Sequence, residues 1–406
     1  MVNVIGLGYI GLPTALMFAS KGIKIVGTDI NESHIKDLQS RKLYFDEKGL
    51  TQLFDKALEQ GIKFSTEYIK SSVYIVTVPT PYISETKKVD MKYVISAVNR
   101  ILEICDKGTI IIIESTISPG SIDEHIRPLI KNKGLTIGED VHLVHAPERI
   151  LPGNMIYELE NNSRTIGADD ESIGQKVIDL YKSFCKAEII LTDIKSAEMS
   201  KVIENTFRDI NIAFANELAI ICREAGLDVY EIIRIANKHP RVNILQPGPG
   251  VGGHCIPVDP WFLIGDYPKQ TKLISAARKI NDIMPKYIYD RILEIMEKHN
   301  ILDFSKVGLY GLSYKENVDD VRESPTLQLL NVIKEKGQKT PNVYDPYIKN
   351  NIVDGQVQNI DSFIQNSEII VIMISHSNLL NDLSILNNKI VFDTRNSINI
   401  KGVYKL

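Results

Sequence analysis

Three glycines near the start of the chain, Gly6, Gly8 and Gly11, form a GxGxxG pattern directly after the apolar run Val2–Ile5. In such a setting the first glycine permits a tight turn, the second lets backbone amides approach a pyrophosphate, and the third lets a helix pack on the strand. Asp29 ends the next apolar run, about twenty residues further on. Its carboxylate would accept hydrogen bonds from ribose hydroxyls and repel a 2′-phosphate, so the pattern predicts a site for NAD rather than NADP.

One cysteine ends a loop that reads PGPGVGGHC, and Asp259 follows Cys255 by four residues. Regular structure cannot form across so many Gly and Pro residues, so the loop could bend around a ligand and present the thiol as a nucleophile. A buried, inert cysteine is the alternative. We expect that alternative for the cysteines in apolar or helical surroundings, which are Cys105, Cys185 and Cys222.

Lys201, Asn205 and Arg208 stand at i, i+4 and i+7 of a long helical pattern and therefore share one face. A solvated polar stripe is the plain interpretation. Alternatively, an amide between two cations could bind an anionic or hydroxylated ligand, and a buried lysine could serve as a general base.

Two further clusters are weaker. Glu148 and Arg149 come directly after an apolar strand pattern, where open α/β sheets bind ligands, although a salt-bridged loop would explain them equally well. His239, Arg241 and Asn243 precede the glycine loop and could meet a phosphate or a sugar.

The elements that must position these residues follow an alternating pattern. Val2–Ile5, a helix over 13–20 and a strand over 24–28 predict a βαβ unit. Further strands are predicted over 73–78, 109–113 and 142–145, and the alternation implies a parallel sheet wound on both faces. The chain from 196 to 225 contains no Pro or Gly and predicts one long helix that ends before Gly226.

After Asp303 the strand rhythm restarts, with strands predicted over 306–310, 342–344, 368–374 and 389–392 and a helix over 324–336. The turn after the first of these strands reads GLYGLSYK and lacks the GxGxxG pattern. The fold class predicted is α/β, with two Rossmann-like doubly wound domains joined by a long central helix and a helical middle domain. The predicted boundaries are 1–195 for NAD binding, 196–297 for the helical domain with the cysteine loop, and 298–406 for the second α/β domain.

Composition narrows the class of protein. Apolar residues make up 44% and charged residues 24% of the 406 residues, as in globular proteins. The net charge is −4 without a basic block, so nucleic acid is not an expected partner. Four scattered cysteines predict a reduced, cytoplasmic protein without a metal site, and no apolar run reaches the roughly 20 residues of a membrane span.

Along the chain the following motifs occur in order: GLGYIGLP, VPTP, EST, APERILPG, ENTFRDINIAFANE, HPRVN, PGPGVGGHC and YKENVDDVRESP. In this order they resemble the motifs of the UDP-sugar 6-dehydrogenases, and the resemblance covers essentially the full length of the chain. Within that family the PERILPGN and ENTFRD variants look most like the members that act on UDP-N-acetyl-D-mannosamine. The family oxidises a primary alcohol to a carboxylate with two NAD per substrate. The resemblance therefore implies that Cys255 attacks the intermediate aldehyde and forms a thiohemiacetal and then a thioester.

The resemblance also implies roles for other residues. Lys201 and Asn205 would handle the alcohol proton and stabilise the oxyanion, Asp259 would position water, and Glu148 would lie near the thioester. Cofactor contacts are implied for Tyr9, Ile10, Asp29, Thr80, Thr116, which is also a catalytic candidate, and Arg322. Substrate contacts are implied for Arg149, Ile150, Lys201, Asn205, Arg208, His239, Arg241, Gly252, Tyr314, Lys315 and, more weakly, Arg395.

A homodimer or higher homo-oligomer is implied as well, because in relatives the long helix forms the dimer core and the arginine matching Arg241 reaches the neighbouring site. Two positions depart from the UDP-glucose pattern, Pro152 in place of a glutamate and Val258 in place of a lysine, so thioester hydrolysis must be arranged differently. UDP-N-acetyl-D-glucosamine and UDP-glucose stay open as substrates. The remaining alternatives are a two-electron dehydrogenase of the 6-phosphogluconate type and a non-catalytic NAD-binding redox sensor.

Overall fold

A computed structural model describes residues 1–150 and 153–406 of the chain. Leu151 and Pro152 lie outside the described residues. Pro152 is one of the two positions at which the sequence departs from the UDP-glucose pattern. The chain forms two compact units. The first contains residues 1–204 and 261–266, and the second contains residues 205–260 and 267–406. The predicted division into three domains stays a prediction.

Within the described residues, eight strands of the first unit form one sheet in the order β3-β2-β1-β4-β5-β6-β7-β8. They are β1 Val2–Ile5, β2 Ile25–Thr28, β3 Lys63–Ser65, β4 Val73–Val76, β5 Thr109–Ile113, β6 Val141–His145, β7 Arg164–Ala168 and β8 Ile189–Thr192. The predicted βαβ unit is confirmed, since β1 pairs in parallel with both β2 and β4. The predicted strands pair in parallel as expected, whereas β7, which the sequence pattern did not predict, runs antiparallel to β6 and parallel to β8.

The helices of this unit cover the sheet and connect its strands. They are α1 Gly11–Ser20, α2 Glu32–Gln39, α3 Leu50–Glu59, α4 Lys92–Leu102, a π turn Ile122–Ile126 with α5 Arg127–Asn132, α6 Met155–Asn161 and α7 Glu171–Tyr181. Every residue of α1 is buried. Its Phe18 packs edge-on against Tyr181 and Phe184, with ring centroids 5.2 and 4.8 Å away. The helix that follows the glycine turn is therefore anchored in the core.

The predicted long helix is confirmed as α8, Ile194–Glu224, which begins in the first unit and ends in the second. The helical segments that follow are α9 Val229–Ala236, α10 Asp259–Asp266 and α11 Lys272–Lys298. Among the described residues, no helix is both long enough and apolar enough to cross a membrane.

The second α/β pattern is also confirmed. In the described part of the chain, five parallel strands of the second unit run in the order β10-β9-β11-β12-β13. The strands are β9 Val307–Tyr310, β10 Asn342–Tyr344, β11 Ile369–Ile372, β12 Ile390–Asp393 and β13 Tyr404–Lys405. The helices are the 3-10 turns Phe304–Lys306 and Leu383–Leu386, α12 Pro325–Glu335, α13 Ile360–Asn366 and α14 Ser377–Asn381.

Candidate functional site

The glycine turn between β1 and α1 has the shape that a dinucleotide needs. Gly6 has φ +91°, in the left-handed region that favours glycine. A Cβ on Gly11 would lie 1.8 Å from the Gly6 carbonyl oxygen and 2.3 Å from Thr77 Oγ1, so only glycine permits this packing. A Cβ on Gly8 would meet no atom within 4 Å. The turn is thus closed toward the sheet and open at Gly8, where a pyrophosphate could approach the helix N-terminus, which fits NAD.

Asp29 lies beside this turn and is tied to it. Its Oδ2 accepts the Leu7 N–H at 2.7 Å and its Oδ1 accepts the Asn31 N–H at 2.8 Å. The carboxylate is only half-buried, and each oxygen has a second lone pair for a ribose hydroxyl. Tyr44 donates its hydroxyl proton to the Leu7 carbonyl. Burial raises the pKa of Tyr44 and the charge of Asp29 adds to this, so the hydroxyl stays a donor.

Four predicted cofactor residues lie close to the ends of the first unit's strands. Thr80 is buried and donates to the carbonyl oxygen of Thr116 at 2.6 Å, so the structure brings these two threonines together. Tyr9 packs on Phe45 with ring centroids 4.6 Å apart. Ile10 is the N-cap residue of α1.

Glu148 lies in a buried charged cluster behind the end of β6. Its Oε2 pairs with Arg164, and Arg164 Nη1 lies 3.3 Å from Glu114 Oε1. Tyr181 donates to the same Glu114 oxygen at 3.2 Å, and the Arg164 guanidinium lies 4.6 Å from the Tyr181 ring centroid. Burial, together with the negative charge of Glu148, raises the pKa of Glu114 to about 8 against the opposing charge of Arg164. At neutral pH this cluster therefore holds a proton on Glu114 while Arg164 is paired with Glu148.

The salt-bridged interpretation of Glu148 and Arg149 holds in part. Arg149 pairs with Glu204 at 2.6 Å instead of with Glu148, although its backbone N–H donates to Glu148 Oε1 at 2.6 Å. Ile150, the next predicted substrate residue, is buried.

The polar face of α8 is not solvated at the first two of its three positions, Lys201 and Asn205. Lys201 and Asn205 are 5% and 6% exposed, whereas Arg208 is exposed. Asn205 Nδ2 donates to Asp259 Oδ2 at 2.6 Å, across 54 residues of sequence. The structure thus joins two predicted catalytic residues, and the interpretation of a solvated stripe was wrong for Lys201 and Asn205.

Cys255 lies in the turn that leads into α10. Its carbonyl oxygen accepts the N–H groups of Val258 and Asp259 at 3.1 and 2.9 Å, and its side chain is half-buried. Cys185 and Cys222 are buried as expected. Cys105 is only half-buried, in the turn after α4, and burial raises the pKa of its thiol, so its inertness stays a prediction.

The turn after β9 carries the predicted ligand residues Tyr314, Lys315 and Arg322. A Cβ on Gly252 would lie 2.7 Å from Tyr314 Cβ, so this turn packs directly on the cysteine loop. Arg322 is exposed and forms an ion pair with Asp320 at 2.6 Å. Arg395 approaches the same loop, since a Cβ on Gly248 would lie 3.3 Å from its Nη1.

His239 and Arg241 lie together on an exposed segment after α9. His239 Nδ1 accepts the Arg241 backbone N–H at 3.3 Å. Nearby, Phe207, Phe214 and Arg241 are among the residues that line an open groove of about 310 Å³.

Sequence reasoning missed several residues that bond to the predicted site residues or to the turns that carry them. Arg164 and Glu114 were not singled out, and neither were Asp345, His376 and Asn317, which hold the turn after β9. For the acidic residues a signal was available, because Glu114 directly follows β5 and Asp345 directly follows β10, at the carboxyl ends of parallel strands.

Comparison with known proteins gives matches along the whole chain. Residues 1–185, 195–283 and 308–400 match three domains of the UDP-glucose/GDP-mannose dehydrogenase family, described as the NAD binding, central and UDP binding domains. The chain is 42% identical to the UDP-N-acetyl-D-mannosamine dehydrogenase of Methanocaldococcus jannaschii, over 98% of this chain and 92% of the relative.

Solved structures agree. The UDP-N-acetyl-D-mannosamine dehydrogenase of Pyrococcus horikoshii superposes with a TM-score of 0.92 at 39% identity, covering 100% of this chain and 98% of that one. The corresponding Staphylococcus aureus enzyme gives a TM-score of 0.89 at 40% identity, with coverages of 100% and 97%.

The glycine turn with Asp29 and the matching domain define an NAD-binding oxidoreductase whose second sheet belongs to a UDP binding domain. The chain belongs to the UDP-glucose/GDP-mannose dehydrogenase family.

Proposed function

We propose that this chain oxidises the 6-hydroxyl of UDP-N-acetyl-D-mannosamine to the carboxylate in two successive hydride transfers. The observation that carries the chemistry is the position of Cys255 beside Asp259 at the start of α10, with Asp259 bonded to Asn205. Relatives of known name support the choice of sugar, because the M. jannaschii and P. horikoshii proteins are both named for it. Bound NAD supplies the hydride acceptor for each oxidation.

The residues of the chain handle protons, the nucleophile and water. Lys201, buried on α8, takes the proton of the 6-hydroxyl as the alcohol becomes an aldehyde. The Cys255 sulfur then adds to the aldehyde carbon, and the thiol proton passes to the aldehyde oxygen, which becomes the hydroxyl of a thiohemiacetal. A hydride leaves the resulting thiohemiacetal carbon and its hydroxyl proton passes to a base, which yields the thioester. Water adds to the thioester carbon, the carbon–sulfur bond breaks, and the carboxylate and the thiol are released.

Asn205 and Asp259 act as a pair in this scheme. The amide of Asn205 has two N–H donors, and the bond to Asp259 Oδ2 fixes the amide so that its second N–H can face the substrate oxyanion. Asp259 orients the attacking water, and the family resemblance implies a place near the thioester for Glu148, which forms an ion pair with Arg164. Val258, which stands in place of a lysine in the UDP-glucose enzymes, is buried.

The assay that tests this function mixes purified protein, NAD and one sugar nucleotide, and follows NADH while the product is identified. We expect two NADH per UDP-N-acetyl-D-mannosamine and slower reactions with UDP-N-acetyl-D-glucosamine and UDP-glucose. One NADH per sugar with free aldehyde would contradict the thioester route. Faster oxidation of one of the other sugars would overturn the assignment of the sugar.

Arg208→Ala tests the sugar contact, since it should raise KM for UDP-N-acetyl-D-mannosamine and leave Tm unchanged.

Cys255→Ser tests the nucleophile, with Cys105→Ser as the matched control because both thiols are half-buried. A serine hydroxyl ionises far less readily than a thiol, so steady turnover should fall by several orders of magnitude while NAD still binds. Cys105→Ser should keep wild-type turnover. Near-normal acid formation by Cys255→Ser would overturn the assignment of Cys255 as the nucleophile.

We also infer a homodimer built on α8. Ile203, Phe207, Phe214 and Ile221 are 50%, 64%, 47% and 55% exposed and lie on one helix face. An exposed apolar stripe of this kind marks a protein interface, and a second copy of the same stripe is its simplest partner. Phe207→Asp should shift the mass measured by light scattering to that of a monomer. Leu302→Asp, at a residue that is 96% exposed, is the control and should not change the mass.

A further inference from the structure

The turn over residues 312–322 touches the loop that carries Cys255. A Cβ on Gly253 would lie 2.8 Å from Tyr314 Cε2, so the aromatic ring rests on the backbone of that loop. The Gly253 N–H also donates to the Arg322 carbonyl at 2.9 Å. The residues proposed to meet the sugar nucleotide and the loop of the proposed nucleophile therefore share one contact surface.

A buried aspartate holds the start of this turn. Asp345 follows β10, and its side chain is fully buried. Its Oδ2 accepts the N–H groups of Leu312 and Ser313 at 2.7 and 3.0 Å, and its Oδ1 accepts the Tyr347 N–H at 2.8 Å. This carboxylate therefore helps to fix the direction in which the chain leaves β9.

A buried histidine connects the aspartate to the middle of the turn. His376 Nδ1 accepts the backbone N–H of Asn317 at 2.9 Å. The ring proton is therefore on Nε2, which donates to Asp345 Oδ2 at 3.1 Å. Both nitrogens of this fully buried ring are used to hold the turn.

Asn317 is the second anchor of the turn and lies at the surface. Its backbone has φ +60°, and its Oδ1 accepts hydrogen bonds from Ser377 N, Ser377 Oγ and Tyr347 Oη at 2.9, 2.6 and 3.1 Å. Tyr314 and Lys315 stand between these two anchors. Side chains that hold the backbone on both sides of Tyr314 and Lys315 restrict the positions that these two residues can take.

We propose that Asp345, His376 and Asn317 are positioning residues that set the geometry of the turn 312–322 for the uridine nucleotide and, through Gly252 and Gly253, the geometry of the Cys255 loop. The role of Cys255 in this statement rests on the proposed function. None of the three residues needs to touch the substrate. Their effect passes through backbone hydrogen bonds to Leu312, Ser313 and Asn317 and then through the Tyr314 ring.

Asn317→Gly and Asn317→Asp form the test pair. Glycine tolerates φ +60° and keeps the N–H bond to His376, but it removes the three bonds to Oδ1. Aspartate keeps an acceptor oxygen at the same place. We measure Kd for UDP by calorimetry without turnover, Kd for NAD, and the rate at which iodoacetamide alkylates Cys255, read by mass spectrometry on the full-length protein with Cys105 as the internal reference.

We expect Asn317→Gly to weaken UDP binding roughly five- to tenfold and to change the Cys255 alkylation rate at least threefold, with NAD binding and Cys105 unaffected. Asn317→Asp should stay within about twofold of wild type. A lower Tm for Asn317→Gly with wild-type UDP binding and wild-type Cys255 alkylation would show a purely structural role and overturn the proposal. If wild type fails to oxidise UDP-N-acetyl-D-mannosamine but UDP binding and alkylation respond as expected, the positioning role stands and the proposed function falls.

Discussion

The turn after the first strand of each sheet is held by the same pair of hydrogen bonds. In the N-terminal sheet the Gly6 N–H donates to the Thr28 carbonyl at 2.8 Å, and Leu7 N–H donates to Asp29 at 2.7 Å. In the C-terminal sheet the Gly311 N–H donates to the Tyr344 carbonyl at 2.8 Å, and Leu312 N–H donates to Asp345 at 2.7 Å. Each sheet thus places a glycine after its first strand and binds the next N–H with an aspartate that ends the neighbouring strand.

The two turns differ in the exposure and in the other hydrogen-bond partners of the aspartate. Asp29 is half-buried and its turn leads at once into α1 at Gly11, so a carboxylate and a helix N-terminus lie at the same turn. Asp345 is covered by His376 and by backbone N–H groups, and α12 starts only at Pro325. The N-terminal turn therefore leaves its aspartate and a helix N-terminus available to a ligand, whereas the C-terminal turn uses its aspartate internally and continues as a long turn.

The largest effect is expected at the N-terminal turn. Gly11→Ala forces a Cβ to within 1.8 Å of the Gly6 carbonyl, so the turn must open and NAD affinity should fall roughly a hundredfold, or about 2.7 kcal/mol. Gly8→Ala meets no atom within 4 Å and should keep the wild-type Tm while weakening NAD binding. NAD titration and thermal unfolding measure both variants. Wild-type NAD affinity in Gly11→Ala would contradict the role given to the close packing of the N-terminal turn.

The second prediction sets Asp345→Asn against Asp29→Asn. Burial favours the neutral acid, but hydrogen bonds from His376 and backbone N–H groups prevail and lower the pKa of Asp345 below its ordinary value. Its charged form therefore stabilises the fold above the unfolded pKa near 4, and this stability is lost as the pH falls through the folded pKa. Asp345→Asn should cost about 2–3 kcal/mol in urea unfolding at pH 7, and half-exposed Asp29→Asn less than about 1 kcal/mol. A larger loss of unfolding free energy in Asp29→Asn than in Asp345→Asn would contradict the structural role given to Asp345.

Glu114 gives a contrast of opposite sign to Asp345. Burial raises its pKa to about 8 from 4.5, so the folded protein holds a proton that the unfolded chain releases. Stability should fall as the pH rises from about 5 to 8, by at most about 1.4 kcal/mol per pH unit. Glu114→Gln keeps a neutral side chain and should show a flatter dependence, whereas Glu32→Gln at the surface should follow wild type. Parallel curves for Glu114→Gln and wild type would show that Glu114 is already ionised in the fold.

The smallest effect concerns the choice of dinucleotide. The Asp29 carboxylate repels a 2′-phosphate, so kcat/KM should favour NAD over NADP by at least roughly tenfold, or about 1.4 kcal/mol. Asp29→Ser should reduce this ratio and leave UDP binding unchanged, because Asp345 serves the other sheet. Equal use of NAD and NADP by the wild type would contradict the role given to Asp29.

Much of the fold could be predicted from local pattern. The strands Val2–Ile5 and Thr109–Ile113 were predicted with the observed bounds, and the long helix was placed within two residues at each end. The strand Arg164–Ala168, which runs antiparallel to β6, was not predicted, because its sequence RTIGA lacks an apolar run long enough to indicate a strand. The strand Lys63–Ser65 was missed since three residues carry too little periodicity.

Among the candidate site residues, residue type and spacing identified the Gly6 turn with Asp29, the Cys255 loop, and the shared helix face of Lys201 and Asn205, because each depends on neighbours within one turn, loop or helix. Burial of Lys201 and the bond between Asn205 and Asp259 were decided by tertiary structure, since the amide and the carboxylate are 54 residues apart in sequence. The same holds for His376, which has no distinguishing local pattern. It becomes a positioning candidate only because folding buries its ring between Asp345 and the Asn317 backbone, where each nitrogen must find a partner.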